Sequence, residues 1–358
     1  MLIVGLILPV LFGLAISLLV CPEMRVAERF ALAYGLGFGL LTLAMFLLNL
    51  LGIKFSLINT SVCISGIIVG SMVYWKRKKW SYHWLAELPG WLKRMGKTVG
   101  SLSIFERIVL GLLIFFGMSN LIIATYWPVW WWDALAVYDL RARVLAETQS
   151  FPEAALKVIN PAYLFYYPPM TSLVHVWLYL WGWAYPKVFY SLLFISLAII
   201  FYYSMRDYCP GYHCLLFTLI LVSTSSLYFH ATSAYANFPF AFYFSVGTLY
   251  LYRWMSTSKK GFLTLAGLFL GLSSWVRQES IIFFLAYWVI LLYFSISRRR
   301  FFAPLWFGFL YFTIQPLWEF YYPYMAHPQS STTISTSSDI ISKSSAILIQ
   351  FSNPLSLS

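Results

Sequence analysis

Charge is scarce in this chain. Only 10% of its 358 residues are Asp, Glu, Lys or Arg, where a water-soluble domain carries roughly a quarter. With 61% hydrophobic residues beside so little charge, the polar surface is too small to keep a fold dispersed in water, and an ordinary soluble enzyme is excluded. Cysteine is equally sparse, at 4 residues. Cys21, Cys63, Cys209 and Cys214 show no CxxC spacing, and three of them lie in or beside apolar runs. They therefore suggest neither a disulfide framework nor a zinc site and read as small packing residues. A glycine-rich phosphate loop of the P-loop type is missing, which speaks against a soluble nucleotide-dependent mechanism. The first apolar stretch, residues 2–20, has no basic segment before it and no clear small-residue cleavage site after it, so it reads as a retained helix rather than a leader. No internal repeat of fixed period is visible.

Aromatic residues and long apolar runs fill the space that charge leaves. The chain holds 16 Trp, 26 Tyr and 31 Phe, and amphipathic Trp and Tyr rings favour the lipid headgroup layer. A helix rising 1.5 Å per residue needs about 20 apolar residues to cross the hydrocarbon core. Such runs occupy 2–20, 30–51, 56–75 and 108–127 before a long loop, and 188–205, 212–228, 238–252, 262–275, 281–297 and 301–322 after it. The expected fold is all-α: a polytopic membrane protein with about ten transmembrane helices plus a juxtamembrane helix in the long loop.

The base surplus, 24 Lys and Arg against 12 Asp and Glu, would suit nucleic acid if it formed one soluble patch with interleaved aromatics. Instead it is divided among short loops, so no nucleic-acid partner is expected. The clusters are 76–79, then Lys93, Arg94 and Lys97, then Arg253, Lys259 and Lys260, and finally 298–300. Positive flanks are retained on the cytoplasmic side. This orientation leaves only seven bases outside, Lys54, Arg141, Arg143, Lys157, Lys187, Arg277 and Lys343. The acids Asp133, Asp139, Glu147, Glu153, Glu279, Glu319 and Asp339 fall at or near the external face. Loop 128–187 then lies outside, and because only an odd number of crossings fits between Trp127 and Arg206, the 13-residue apolar stretch 170–182 is expected to be an interfacial or re-entrant helix. Three regions follow: an N-terminal three-helix membrane segment with a basic cytoplasmic loop (1–104), a transmembrane core (105–322), and a Ser/Thr-rich external tail (323–358), flexible or the start of a truncated domain.

Four segments carry candidate chemistry. The first runs from Trp127 through Asp133 and Asp139 to Arg143; it places a carboxylate just past the external end of a span. Asp133 is either a helix N-cap or a general base on the rim of a membrane-facing cavity. Asp139 and Arg143 stand i and i+4 and are expected to pair on one helix face. In the second, Tyr167-Pro168-Pro169-Met170-Thr171, two prolines start an apolar helix. The third is Tyr235-Ala236-Asn237-Phe238-Pro239. The fourth, Arg277-Gln278-Glu279, sets a cation and an anion in a tight turn between spans, where charge is costly unless paired or functional. His175 and His230 flank apolar segments on the external side, where a satisfied structural role is the ordinary one and assistance to the chemistry the alternative.

Taken in order, these segments resemble the polyprenyl-phosphate-sugar-dependent integral membrane glycosyltransferases of the GT-C fold, near the protein mannosyltransferases and the lipid A aminoarabinose transferases. Trp132-Asp133-Ala134 is similar to the acidic opening of their first external loop. Tyr167 to Thr171 is similar to the Tyr-Pro-Pro-Leu segment of bacterial members, and Arg277-Gln278-Glu279 to their Arg-Pro-Glu turn. The resemblance spans residues 108–322 and leaves the first three spans as an addition. It departs at Asn237, where many relatives carry an acid in a Tyr-Ala-Asp-x-Pro element.

The resemblance implies transfer of a sugar, with inversion, from a polyprenyl-phosphate carrier to a glycan, lipid or protein acceptor at the external face of a cell membrane. Asp133 would be the general base. Arg277, with Lys187 and Arg141 beside it, would neutralise the departing phosphate, and Glu279, Tyr167, Tyr235 and Asn237 would complete the substrate site. No metal-ligand set is assigned, and the resemblance leaves a divalent metal open as cofactor. A lipid or glycan flippase or transporter and a non-catalytic membrane subunit are the rival readings. Convergence of Asp133, Arg277 and Glu279 on one external cavity is the feature that separates them from the transferase.

Overall fold

In hydrocarbon every backbone N–H and C=O must be satisfied by protein, which leaves the helix as the natural element of an open chain. The structure, a computed structural model, describes residues 2–77, 90, 93, 100–151 and 167–326, and the elements these residues form are helical. They begin with α1 (Leu2–Val20), α2 (Val26–Leu50), α3 (Leu57–Arg77) and α4 (Ile104–Tyr126). A π-helical turn, Ala134–Asp139, runs into α5 (Leu140–Thr148), followed by α6 (Met170–Leu180), α7 (Val188–Met205), α8 (Gly211–Ser223) and α9 (Ser225–His230). The chain continues through α10 (Asn237–Thr257), α11 (Lys260–Val276), α12 (Ser280–Ser297), α13 (Phe302–Phe312) and α14 (Pro316–Ala326). The basic run 78–99, apart from positions 90 and 93, lies outside the described residues, as do Glu153, Lys157, Lys343 and the tail beyond 326.

The chain is a helical membrane protein in which six of these helices are long and apolar enough to cross a bilayer: α1, α2, α3, α4, α7 and α12. Other expected spans are shorter or broken. The run 212–228 divides at Thr224, whose backbone is extended (ψ 116°). There the Ser223 and Thr224 hydroxyls both donate to the Ile220 carbonyl, at 3.2 and 3.0 Å, in competition with the helical ladder. The run 301–322 divides before Pro316, which has no N–H to offer the preceding turn.

Burial sorts the helices. Windows of α3, α4 and α12 are only 22%, 17% and 22% buried although apolar, the pattern of helices that face lipid on most sides. In α2 the figure is 83%, so α2 is a central element, and it packs against α1, α6 and α7. Lipid tails are as apolar as leucine, so helices associate in a bilayer through close backbone approach at small residues. At the α1–α2 crossing a methyl on Gly13 would overlap the Ala33 carbonyl oxygen, and one on Gly37 would overlap that of Pro9.

The helix expected in the long loop is present as α6. Every residue from Met170 to Leu178 is buried, Trp177 Nε1 donates to the Gly5 carbonyl at 2.7 Å, and α6 packs against α2 and α5, so of the interfacial and re-entrant alternatives its burial in protein suits the re-entrant one. The spans are less free of charge than the apolar runs imply. Because α2 starts at Val26 and α10 continues to Thr257, Glu28, Arg29 and Arg253 are drawn into the bundle and buried. Arg253 pairs with Glu28 and, at 2.8 Å, with Asp207, which also holds Arg25 at 2.8 Å. Tyr250 donates to Glu28 at 2.9 Å. With the Lys259–Glu23 pair, this network gathers the ends of α1, α2, α7, α10 and α11 into one basic end of the bundle.

Candidate functional site at the opposite end

Pro128 stops the helix that precedes it. The residue before a proline is pushed out of the α region, and Trp127 accordingly turns extended (φ −91°, ψ 135°). The chain re-enters helix at Trp132 and Asp133. Asp133 holds the N-cap place with helical dihedrals, yet its side chain makes no capping bond, so the capping role is not the one it plays. Its carboxylate is exposed. Tyr138, five residues on, is buried, and burial raises its phenol against the lowering charges of Arg141 and Arg277. Tyr167, whose ring lies at 6.1 Å, and the Asp133 charge add to the rise. Tyr235 is likewise raised, by burial first and then by the Asp133 charge.

Arg141 is turned into the protein. Its guanidinium donates to Ser172 Oγ at 2.7 Å and to the carbonyls of Tyr167 and Pro168 at 2.8 and 3.1 Å. Burial pushes it down to about 10, against the Tyr138 phenol. Ser172 Oγ passes the connection on to the Tyr138 carbonyl at 2.9 Å. The two prolines cannot donate backbone bonds, and Arg141 binds the carbonyls of the two residues before Pro169, so this segment is held against α5.

Beneath it stands Asp139, fully buried. Its carboxylate takes bonds from Tyr179, from Arg143 Nε at 3.0 Å and from His175 Nδ1 at 3.2 Å. Burial works to raise its pKa, but the His175 and Tyr179 bonds and the Arg143 charge outweigh it and hold the carboxyl below its ordinary range. The i, i+4 pair expected of Asp139 and Arg143 is therefore present. His175 Nε2 reaches Tyr190 Oη at 3.0 Å, and Tyr190 donates to the Ala234 carbonyl at 3.2 Å. His175 is a fully bonded strut between α5, α6, α7 and the loop before α10.

Arg277 occupies the centre of the exposed face. The end of α11 leaves it extended (φ −147°, ψ 133°), and Ser273 and Ser280 close the turn with Oγ atoms 2.6 Å apart. The guanidinium donates to Glu279 Oε1 and to Asn237 Oδ1, each at 2.7 Å, and lies 5.9 Å from the rings of both Tyr167 and Phe240. Its bonds hold the Glu279 carboxyl below its ordinary value. Asn237 presents an amide oxygen without charge, so Glu279 is the formal counter-charge that contacts Arg277 in this group.

Lys187 stands at the foot of α7, buried at 2% exposure. It makes no hydrogen bond or ion pair among the described residues, and burial alone pushes its ammonium down to about 8. An unpaired buried cation is costly, and such groups gather at functional sites.

The fold thus brings Tyr167, Asn237, Arg277 and Glu279 into one contact group, with Asp133 and Tyr235 on the same face through Tyr138. Arg141 braces the group from inside, and Lys187 is a separate buried cation at the same end. Tyr138, Tyr179, Tyr190 and Ser172 are structural supports that the sequence pattern did not single out, because each works through partners 15 or more residues away or through its own backbone. Among the described residues no group of three or more His, Cys, Asp or Glu side chains is placed to hold a metal ion. No family model, curated protein or solved structure matches this chain.

Proposed function

We propose that the protein is an integral membrane glycosyltransferase that moves a sugar from a polyprenyl-phosphate carrier to a hydroxyl acceptor at the end of the bundle opposite the basic one. In this reading α8–α9, α10, α11 and α13–α14 join the six long helices as ten passes, and the basic end is cytoplasmic. The carrying observation is the Arg277 group: a guanidinium between one carboxylate and one neutral amide oxygen, backed by Tyr167, on the face that also bears the exposed Asp133. Three of the five guanidinium N–H groups are used in these bonds, which leaves donors for a phosphate.

The acceptor oxygen attacks the anomeric carbon, the bond from that carbon to the phosphate oxygen breaks, and the acceptor proton passes to Asp133. Negative charge grows on the leaving phosphate, and Arg277 and Lys187 are the groups of this chain suited to meet it. Arg141, committed to three internal acceptors, positions the Tyr167 segment instead. A transporter would place ionisable residues near the midplane. Glu28 and Arg253 are buried, but they pair close to helix ends at the basic side, which favours the transferase.

Sugar transfer by purified wild type and Asp133→Asn, with a panel of labelled polyprenyl-phosphate sugars and membrane-extract acceptors, tests this reading. Loss of a positioned base removes about 10²–10⁴ in rate, and the variant should insert and purify as wild type does. Equal transfer by both removes Asp133 from the mechanism. Absence of transfer by either, with donors of proven competence, points to the flippase or subunit.

A further inference from the structure

The basic end of the bundle takes no part in the proposed transfer, yet it holds a cavity lined by cations. A cavity of about 880 Å³ opens between the end of α10, the start of α11 and the turn that leads into α13. Lys260, Arg299 and Arg300 line it together with Trp254, Trp306 and Phe302, and no acid is among its lining residues. These three cations make no side-chain hydrogen bond or ion pair among the described residues, unlike Arg25, Arg253 and Lys259, which are paired nearby.

The turn itself is built around a cation. Arg300 N donates to the Ser295 carbonyl at 2.8 Å and Arg299 N to Ile296 at 3.2 Å, which closes the end of α12. Arg299 takes φ +53°, the left-handed place where helices ordinarily use glycine. An arginine kept in that conformation presents a guanidinium that glycine would not.

The chemistry on offer is phosphate recognition, and the surroundings decide its source. Room for roughly thirty waters exceeds what one inorganic phosphate fills and suits a phosphate with its glycerol. From the cavity mouth Phe302, Leu305, Phe309 and Phe312 run along α13 at spacings of 3, 4 and 3 residues, all exposed. Residues so spaced share one helix face, and this one makes an apolar track on which an acyl chain can lie. We infer that this cavity binds the headgroup of an anionic phospholipid from the leaflet at the basic end, with a chain along α13. Anionic lipids are the partners that juxtamembrane basic groups attract.

Native mass spectrometry of the purified protein with phosphatidylglycerol or phosphatidylcholine, beside Lys260→Gln/Arg299→Gln/Arg300→Gln, tests the inference. Wild type is expected to retain phosphatidylglycerol at least tenfold better than the triple variant, with little phosphatidylcholine in either. Lys76→Gln/Arg77→Gln, remote in sequence at the end of α3, should retain it as wild type does; an equal loss there would mean diffuse surface attraction and overturn the site. Displacement of the lipid by millimolar inorganic phosphate would assign the cavity to a soluble anion and also overturn it. If the triple variant does not purify, Phe302→Glu, which sets a carboxylate at the exposed mouth, should lower phosphatidylglycerol retention severalfold, and unchanged retention would count against the lipid.

Discussion

Lys187 is the residue whose chemistry is most exposed to pH. Its folded pKa, about 8, lies below the ordinary 10.5 because burial disfavours the ammonium. The sign follows: the burial cost is fully present below pH 8 and is relieved as pH rises from 8 to 10.5, so this residue makes the fold slightly more stable toward alkaline pH. Binding behaves oppositely. An anion needs the protonated form, and one pH unit above 8 leaves only about a tenth of it. In the proposed transferase, kcat/KM for the lipid-phosphate donor should fall about fivefold between pH 8 and 9, because the ammonium is half protonated at the first and about a tenth protonated at the second. Lys187→Arg keeps its charge and should remove that limb. A wild-type profile flat to pH 9.5 would take Lys187 out of donor binding. Asn237 belongs to the same scale: where an acid would add a second negative charge against Arg277, the amide donates geometry without neutralisation.

At the scale of elements, the α1–α2 crossing depends on atoms that are missing. Gly37 stands where its Cβ would overlap the Pro9 carbonyl, whereas a Cβ on Gly66 of α3 meets nothing within 4 Å. Alanine is the better helix former by roughly 1 kcal/mol, so Gly66→Ala should be neutral or mildly stabilising. Gly37→Ala should lose about 1–3 kcal/mol through forced separation of the helices. Thermal unfolding in detergent, followed by size-exclusion chromatography, measures both, and a Gly37→Ala protein as stable as wild type would refute the close crossing. The consequence reaches the site, because α2 also supports α6 and α7, which carry His175 and Lys187.

For the whole molecule, orientation decides whether the Arg277 face can meet an external acceptor. Single cysteines at position 132 or 298, introduced into a chain whose four native cysteines are changed to serine, report it directly, since Trp132 and Arg298 are both exposed. In intact cells a membrane-impermeant maleimide should label Trp132→Cys and should reach Arg298→Cys only after permeabilisation. The reverse pattern would invert the protein and separate the site from any external acceptor.

Periodicity and composition were enough to read a helical membrane protein, its six long apolar helices, the Asp139–Arg143 pair and the Arg277–Glu279 turn, because hydrocarbon length and i, i+4 or i, i+2 spacing are local physics. The runs 212–228 and 301–322 read as unbroken spans in the sequence, although Pro316 stands inside the second; the break at Thr224 has no such mark, since an Ile220 carbonyl taken by two hydroxyls leaves no local pattern. Long-range chemistry was decided by the tertiary structure alone. It turned Arg141 inward onto the carbonyls of Tyr167 and Pro168 and buried Glu28 against Arg253. It also left Lys187 unpaired among the described residues and drew Asn237 to Arg277 across 40 positions. Whether a polar side chain is a ligand site or a brace depends on which partners fill its hydrogen-bonding capacity, and those partners are set by helix packing that no local pattern encodes.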